Sequence, residues 1–117
     1  LNDFAGWYIM DKEFQDSIGA QKPLDLASNA GGAMQTQANG TGPFKLVERQ
    51  PDVKTVLAVN PDWWDQKKHN LEEIVYTPIT NNATRVAALL SGEVDFIRNA
   101  PPQDLARIEG TPGMKVM

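Results

Sequence analysis

The sequence contains no cysteine and a single histidine. Without cysteine the chain cannot form a disulfide framework, a cysteine-ligated zinc site or a cysteine nucleophile. Basic residues are also few, since 11 Lys and Arg stand against 15 Asp and Glu and give a formal net charge of −4. A nucleic-acid surface needs clustered basic side chains, so the composition argues against such a partner. No apolar run approaches the ~20 residues that cross a bilayer.

The bulk composition is that of an ordinary globular unit. The chain has 117 residues, of which 41% are hydrophobic and 22% charged, and this favours one compact unit. Its start at Leu1 is not a start methionine, and its end "GMKVM" alternates like a strand with no stop after it. We therefore interpret residues 1–117 as a single fragment of a longer protein. Residues 1–42 are predicted to form a helix and an irregular loop region, and residues 43–117 an α/β region.

The first region carries one helix signal and one long irregular stretch. Apolar residues recur at helical spacing, Asp11 suits an N-cap and Gly19 a C-terminal stop, which predicts a helix over residues 11–18. Residues 21–42 are rich in Ala, Asn, Gly and Gln, which is typical of a loop.

The second region opens with strand signals. "PFKLVERQ" and "KTVLAVN" flank "PDV" and predict a β-hairpin, and "LEEIVYTPI" predicts a third strand. Between them "NPDWWDQKKHN" breaks the pattern, because two adjacent tryptophans cannot both face one core. Trp63 and Trp64 are therefore candidates for ligand contact, although such a pair is commonly structural.

Alternating helix and strand signals follow Thr80. "NNATRVAALLSG" predicts a helix with Asn81 or Asn82 as N-cap and Gly92 as its stop. "EVDFI" predicts a buried parallel strand, "PPQDLARIEG" a helix that begins on proline, and "MKVM" a last strand. These elements predict right-handed βαβ units and an α/β fold.

Three residues stand where the predicted strand "EVDFI" ends: Arg98, Asn99 and Ala100. Ligands of open α/β sheets collect beyond the carboxyl ends of the strands. A guanidinium at that place suits a solute carboxylate, because it forms bidentate charge-assisted hydrogen bonds. The alternatives are a solvated loop arginine at position 98 and an asparagine that bonds its own backbone at position 99.

Three short motifs in sequence carry a resemblance to a known family. "GTGPF" at residues 40–44, "NPDWW" at 60–64 and "SGEVD" at 91–95 are similar to consecutive landmarks of the family 5 extracellular solute-binding proteins, the peptide- and nickel-binding components of bacterial ABC importers. The resemblance is good over residues 39–117 and loose over 1–38. It implies a periplasmic-binding-protein-like (type II) lobe with a mixed sheet, in which a β-hairpin is joined to βαβ units.

The resemblance also implies a function. Residues 1–117 would belong to lobe I of a two-lobed protein that is periplasmic or extracellular, either free or anchored to the cell membrane by a lipid. It would close around a peptide or similar small solute and deliver it to the membrane permease. Residues 98–100 would line the cleft. No enzyme activity, cofactor or metal is implied, and uncovered strand edges of the fragment would invite self-association.

Two rival functions remain open from the sequence. The first is a small α/β hydrolase that uses Glu93 or Asp95 with His69, although no Gly-x-Ser-x-Gly motif is present. The second is a ligand-sensing regulatory domain with the same lobe architecture. His69 itself lies in the charged stretch "DQKKHN" and is expected to be solvated, without partner ligands for a metal.

Overall fold

The computed structural model describes residues 10–22 and 32–117. The chain divides into two compact units, residues 1–77 and residues 78–117. None of the helices in the described ranges has the length and apolar character needed to span a bilayer. The elements in chain order are α1 (Lys12–Ser17), β1 (Phe44–Gln50), β2 (Lys54–Val59), β3 (Glu73–Tyr76), α2 (Asn82–Ser91) and α3 (Leu105–Glu109), with 3₁₀ turns at Ala33–Gln35 and Pro102–Asp104.

Helix α1 confirms the prediction for residues 11–18. The Asp11 carboxylate accepts a hydrogen bond of 3.1 Å from the backbone N–H of Phe14, which makes it the N-cap. The chain leaves the helix through Gly19, whose φ of 70° is costly for any residue with a β-carbon. The interpretation of residues 21–42 as loop fits the described part. Residues 23–31 lie outside the described residues.

The predicted hairpin is confirmed. Strands β1 and β2 pair antiparallel from Phe44 opposite Val59 to Gln50 opposite Lys54. The turn between them closes with a 3.1 Å hydrogen bond from the Val53 N–H to the Gln50 carbonyl. A β-bulge interrupts the register between Leu46 and Glu48.

Strand β3 completes an antiparallel sheet of order β1-β2-β3. It pairs with β2 from Ala58 opposite Glu73 to Thr55 opposite Tyr76. The third strand is thus confirmed, but it is shorter than the predicted run of residues 71–79. Pro78 follows it, in agreement with the rarity of proline inside a sheet ladder.

Helix α2 has the ends that the sequence predicted. The Asn81 side chain accepts a hydrogen bond of 2.9 Å from the Thr84 N–H and serves as N-cap. At the other end Gly92 adopts φ 77°, and its N–H donates to the Leu89 carbonyl at 3.1 Å. The Glu93 N–H donates to the Ala88 carbonyl at 2.9 Å, so the last carbonyls of the helix are satisfied by a glycine-dependent stop.

The core of the second unit is a cluster formed by α2, α3 and the segments around them. Val86, Leu89 and Ile108 are buried at its centre. Partly buried residues pack against this centre: Leu90, Val94, Ile97, Ala100, Met114 and Val116. The predicted helix that begins on proline appears as the turn Pro102–Asp104 followed by α3.

The strands predicted for "EVDFI" and "MKVM" are not formed. Residues 93–97 and 114–117 carry no strand, and the sheet in the described part of the chain is entirely antiparallel. A β-strand requires backbone N–H and C=O groups of a neighbouring strand, and none lies beside these segments within the described residues. Val94 and Ile97 in the first segment, and Met114 and Val116 in the second, still pack against the core cluster, whereas Phe96 and Met117 are exposed. The alternation of packed and exposed residues explains why the sequence pattern resembles that of strands.

Candidate functional site

The segment of residues 97–100 leads from the core of the second unit to its surface and back. Ile97 and Ala100 are half-buried and pack against the cluster around Val86, whereas Arg98 and Asn99 between them are exposed. The two polar side chains therefore stand on a short loop that is anchored on both sides. Ala100, predicted with them as a cleft residue, contributes mainly to this anchoring.

The backbone of the loop has an unusual conformation at Asn99. Its φ of 57° lies in the left-handed region, which asparagine tolerates better than most residues with a β-carbon. The Asn99 carbonyl accepts a hydrogen bond of 3.1 Å from the guanidinium of Arg85. The conformation of the loop is thus supported by a charged donor on helix α2, a contact that no local sequence signal indicated.

The two tryptophans of "NPDWW" differ in exposure. Trp63 is half-buried, whereas Trp64 is 79% exposed. The ring centroids lie 6.1 Å apart with an interplanar angle of 64°, which is an edge-to-face arrangement. The sequence-based expectation that the two rings have different environments is confirmed.

Trp63 lines a cavity of about 290 Å³ in the first unit. The cavity is bordered by the end of strand β2 and by the turn that follows it. Its walls combine apolar, charged and imidazole side chains: Pro43, Val59, Asn60, Pro61, Trp63, Asp65, Lys67 and His69. A cavity of this size accepts a side chain or a few water molecules and falls just below the usual range of small-molecule sites.

Asn60 holds the wall of this cavity together. It is 7% exposed, and its side-chain amide donates a hydrogen bond of 2.9 Å to the Gly42 carbonyl. Its side-chain oxygen accepts from the Asp62 N–H at 3.1 Å, and its own N–H donates to the Pro43 carbonyl at 2.8 Å. The motifs "GTGPF" and "NPDWW" are therefore fastened to each other by one residue. Sequence reasoning saw only a turn opening at Asn60-Pro61 and missed this role.

His69 is not the solvated residue that the charged stretch "DQKKHN" predicted. Its imidazole stacks on the ring of Phe44, with centroids 4.8 Å apart and an interplanar angle of 21°. Both ring nitrogens are buried, and neither has a hydrogen-bond partner among the described residues. The aromatic stack removes the ring from water although its sequence neighbours are charged, so the prediction of a solvated histidine was wrong.

An ion pair fixes the charged part of the same turn. Lys67 Nζ lies 2.7 Å from a carboxylate oxygen of Glu72. The hydrogen bond and the positive charge of Lys67 lower the pKa of the Glu72 carboxyl below its ordinary value of 4.5. Across residues 10–22 and 32–117, no three His, Asp or Glu side chains come close enough to hold a metal ion.

The profile of "Bacterial extracellular solute-binding proteins, family 5 Middle" matches residues 11–117. The chain belongs to this family. The family assignment drawn from the three motifs at residues 40–44, 60–64 and 91–95 is thus confirmed, and all three lie inside the match.

Curated relatives are peptide-binding proteins by name. Di/tripeptide-binding protein 3 of Pseudomonas aeruginosa is 30% identical over 77 residues, which cover 66% of this chain and 14% of the relative. Periplasmic oligopeptide-binding protein OppA of Salmonella typhimurium is 34% identical over 64 residues, 55% of this chain and 12% of the relative. The matched segments therefore span only about an eighth to a seventh of the length of these relatives.

Solved structures agree in fold. The periplasmic binding protein DppA of Helicobacter pylori, in complex with peptide STSA, superposes with a TM-score of 0.71 at 28% identity and covers 89% of this chain and 19% of its own. The dipeptide-binding protein of Pseudoalteromonas sp. SM9913, in complex with Met-Leu, gives a TM-score of 0.65 at 26% identity and covers 88% and 19%. The described residues are thus part of a type II lobe.

The family and its named relatives are binding proteins and not enzymes. The rival hydrolase, which was to use Glu93 or Asp95 with His69, is set aside on this ground. In the structure both carboxylates are exposed.

Proposed function

We propose that the chain is part of lobe I of a two-lobed receptor of a bacterial ABC importer, which binds a peptide between its lobes and delivers it to the membrane permease. Two peptide complexes among the similar structures support a peptide as the solute. The receptor acts in the periplasm or outside the cell, where a lipid anchor would hold it at the membrane. Affinity in such a protein comes from burying the solute and satisfying its polar ends.

The observation that carries this proposal is the exposed pair Arg98 and Asn99 on its doubly anchored loop. Ile97 and Ala100 pack against the core, so the loop backbone is held while its polar side chains remain available. Such a fixed donor set binds a ligand without first paying the entropy of ordering the loop. Arg98 provides the charge that a peptide carboxylate requires, and Asn99 offers an amide for the peptide backbone.

Trp63 and Trp64 are the second proposed contact region. The exposed ring of Trp64 offers an apolar face with an N–H donor, which suits a peptide side chain. The half-buried ring of Trp63 lines the cavity of the first unit and holds the Trp64 ring edge-to-face.

The test uses the intact protein that carries residues 1–117, titrated calorimetrically with peptide STSA and with Met-Leu. We expect one of the two to bind, and we expect Arg98→Ala to weaken binding by about tenfold because a charge-assisted hydrogen bond is lost. Arg107→Ala is the matched control, since this arginine is also exposed and lies in the last turn of α3. C-terminal amidation of the peptide should weaken binding to the natural protein but not to Arg98→Ala.

Three outcomes would contradict, in turn, the peptide-binding function, the proposed site and the role in transport. If neither these peptides nor a mixed di- to pentapeptide library binds, the peptide-receptor function is wrong. If peptides bind equally well to Arg98→Ala and to the natural protein, the function stands and the site is wrong. If the parent gene also encodes a DNA-binding or kinase domain, the ligand-sensing alternative replaces transport.

A further inference from the structure

Arg85 is the most heavily bonded side chain of the second unit. One terminal guanidinium nitrogen donates a hydrogen bond of 2.8 Å to the Ile79 carbonyl. The other donates to the Asn82 side-chain oxygen at 2.6 Å and to the Asn99 carbonyl at 3.1 Å. One planar group therefore joins the segment that precedes helix α2, the first turn of that helix and the loop of residues 98–100.

The position of Arg85 in the helix explains how it reaches all three acceptors. It stands in the first turn of α2, three residues after Asn82, so their side chains meet on one face of the helix. The residue is half-buried on the same turn that carries the fully buried Val86. Packing of Val86 fixes the rotation of the helix, and this rotation directs the arginine toward the loop.

We infer that Arg85 is a positioning residue for the peptide site: it holds the loop of residues 98–100 in its binding conformation by clamping the Asn99 carbonyl. The inference adds a residue to the proposed peptide site, and its peptide-binding test rests on the proposed function.

The backbone at Asn99 has a conformation that needs support from its surroundings. A left-handed φ at a residue other than glycine costs free energy and persists only where the surroundings determine it. Ile97 and Ala100 anchor the ends of the loop by apolar contact, which restricts their distance but not the direction of the Asn99 peptide group. The hydrogen bond from Arg85 to the Asn99 carbonyl fixes the orientation of this peptide group. It does so effectively because a charge-assisted hydrogen bond is stronger than a neutral one. Lysine cannot replace the arginine, since its single ammonium lacks the planar fork that meets acceptors on several sides.

The first arm of the test needs no ligand. Backbone ¹⁵N relaxation of the intact protein is compared between the natural sequence, Arg85→Gln, Arg85→Lys and Arg107→Gln. We expect lower order parameters at residues 98–100 in both Arg85 variants, with unchanged values at residues 105–109 and no effect of Arg107→Gln. Unchanged order parameters at residues 98–100 overturn the inference, whatever the protein binds. Lower values throughout residues 78–117 also overturn it, because Arg85 would then stabilise the whole unit and not position the loop.

The second arm measures peptide affinity in a double-mutant cycle. We expect Arg85→Gln to weaken binding by about tenfold in the natural background. Asn99→Gly tolerates the left-handed conformation but removes the amide side chain and loosens the loop, so in its background Arg85→Gln should weaken binding by less than about threefold. Equal losses in both backgrounds overturn the inference, because Arg85 would then act independently of residue 99.

The two arms separate this inference from the proposed function. If no peptide binds the natural protein, the proposed function is wrong, while the relaxation experiment still decides whether Arg85 positions the loop. If Arg98→Ala weakens binding and Arg85→Gln does not, the function stands and the positioning role is wrong.

Discussion

The side-chain amide of Asn60 donates a hydrogen bond of 2.9 Å to the backbone carbonyl of Gly42, and so fastens two turns that lie 18 residues apart in the chain. The same side chain also satisfies the Asp62 N–H. This buried amide thereby ties the backbone before strand β1 to the backbone after strand β2.

Replacing Asn60 by alanine should destabilise the protein by about 2 kcal/mol, since a buried donor and acceptor pair is lost and the Gly42 carbonyl is left without its partner. Asn60→Asp keeps the acceptor for the Asp62 N–H but sets a carboxylate oxygen against the Gly42 carbonyl, so it should destabilise the protein at least as much as Asn60→Ala. Urea unfolding monitored by circular dichroism measures both changes. An Asn60→Ala variant as stable as the natural protein would mean that water replaces the amide at no cost.

Exposure of the adjacent tryptophans predicts their fluorescence. Trp64 is 79% exposed, so acrylamide should quench it readily, whereas half-buried Trp63 should be protected. Trp64→Phe should therefore reduce the readily quenched fraction of the emission more than Trp63→Phe does. Stern–Volmer plots of the natural protein and the two variants provide the comparison. The reverse order would show that the ring assigned to the cavity wall is the accessible one.

Val86 should be the most sensitive apolar position of the second unit. It is 2% exposed and lies at the centre of the cluster with Leu89 and Ile108, so Val86→Ala should cost about 2 kcal/mol through lost burial and the cavity left behind. Val47, which is 63% exposed on strand β1, provides the control. Val47→Ala should change stability by less than about 0.5 kcal/mol. Equal effects in thermal unfolding would contradict the assignment of this core.

The hairpin should lose part of its stability in acid. Lys54 hydrogen-bonds the Glu48 carboxylate at 2.9 Å across the two strands, and this bond is the main cause that lowers the pKa of Glu48 below 4.5. Because the folded pKa lies below the unfolded one, the stabilisation is present above pH 4.5 and is lost as pH falls through the folded value. The effect is small, since the pair is solvent-exposed.

Glu48→Gln isolates this contribution. Its melting temperature should lie below that of the natural protein at pH 7, and the difference should shrink as the pH is lowered below 4.5. Lys54→Met should behave in the same way because it removes the same bond from the other side. If the difference in melting temperature instead grew as the pH was lowered, the ionised Glu48 carboxylate would not be the stabilising form, and the prediction would be wrong.

The elements whose ends are set by local chemistry could be predicted from the sequence. Asp11, Asn81 and Gly92 end or begin helices in the structure as expected, because caps and left-handed stops depend on a few neighbouring residues. The hairpin could also be predicted, because two apolar runs joined by a short turn pair with each other far more readily than with any other segment.

The pairing of residues 93–97 could not be predicted, because a strand exists only when another backbone lies beside it. A run of apolar residues predicts that side chains in it are buried, but it does not identify the residues or the strand against which they pack. The same limit applies to the site. The motif around Arg98 indicated where a polar loop would stand, whereas the clamp from Arg85 and the stack of His69 on Phe44 join residues that are distant in sequence. No local pattern encodes such contacts.

The β-bulge between Leu46 and Glu48 has a consequence for encounters between molecules. Strand β1 borders the described sheet, and its outer row of backbone groups would otherwise offer a regular template for a strand of another chain. The extra residue breaks the hydrogen-bonding repeat midway, so an incoming strand can match one half of β1 or the other but not both. Within the described sheet, strand β1 is therefore a poor template for a strand added from another molecule.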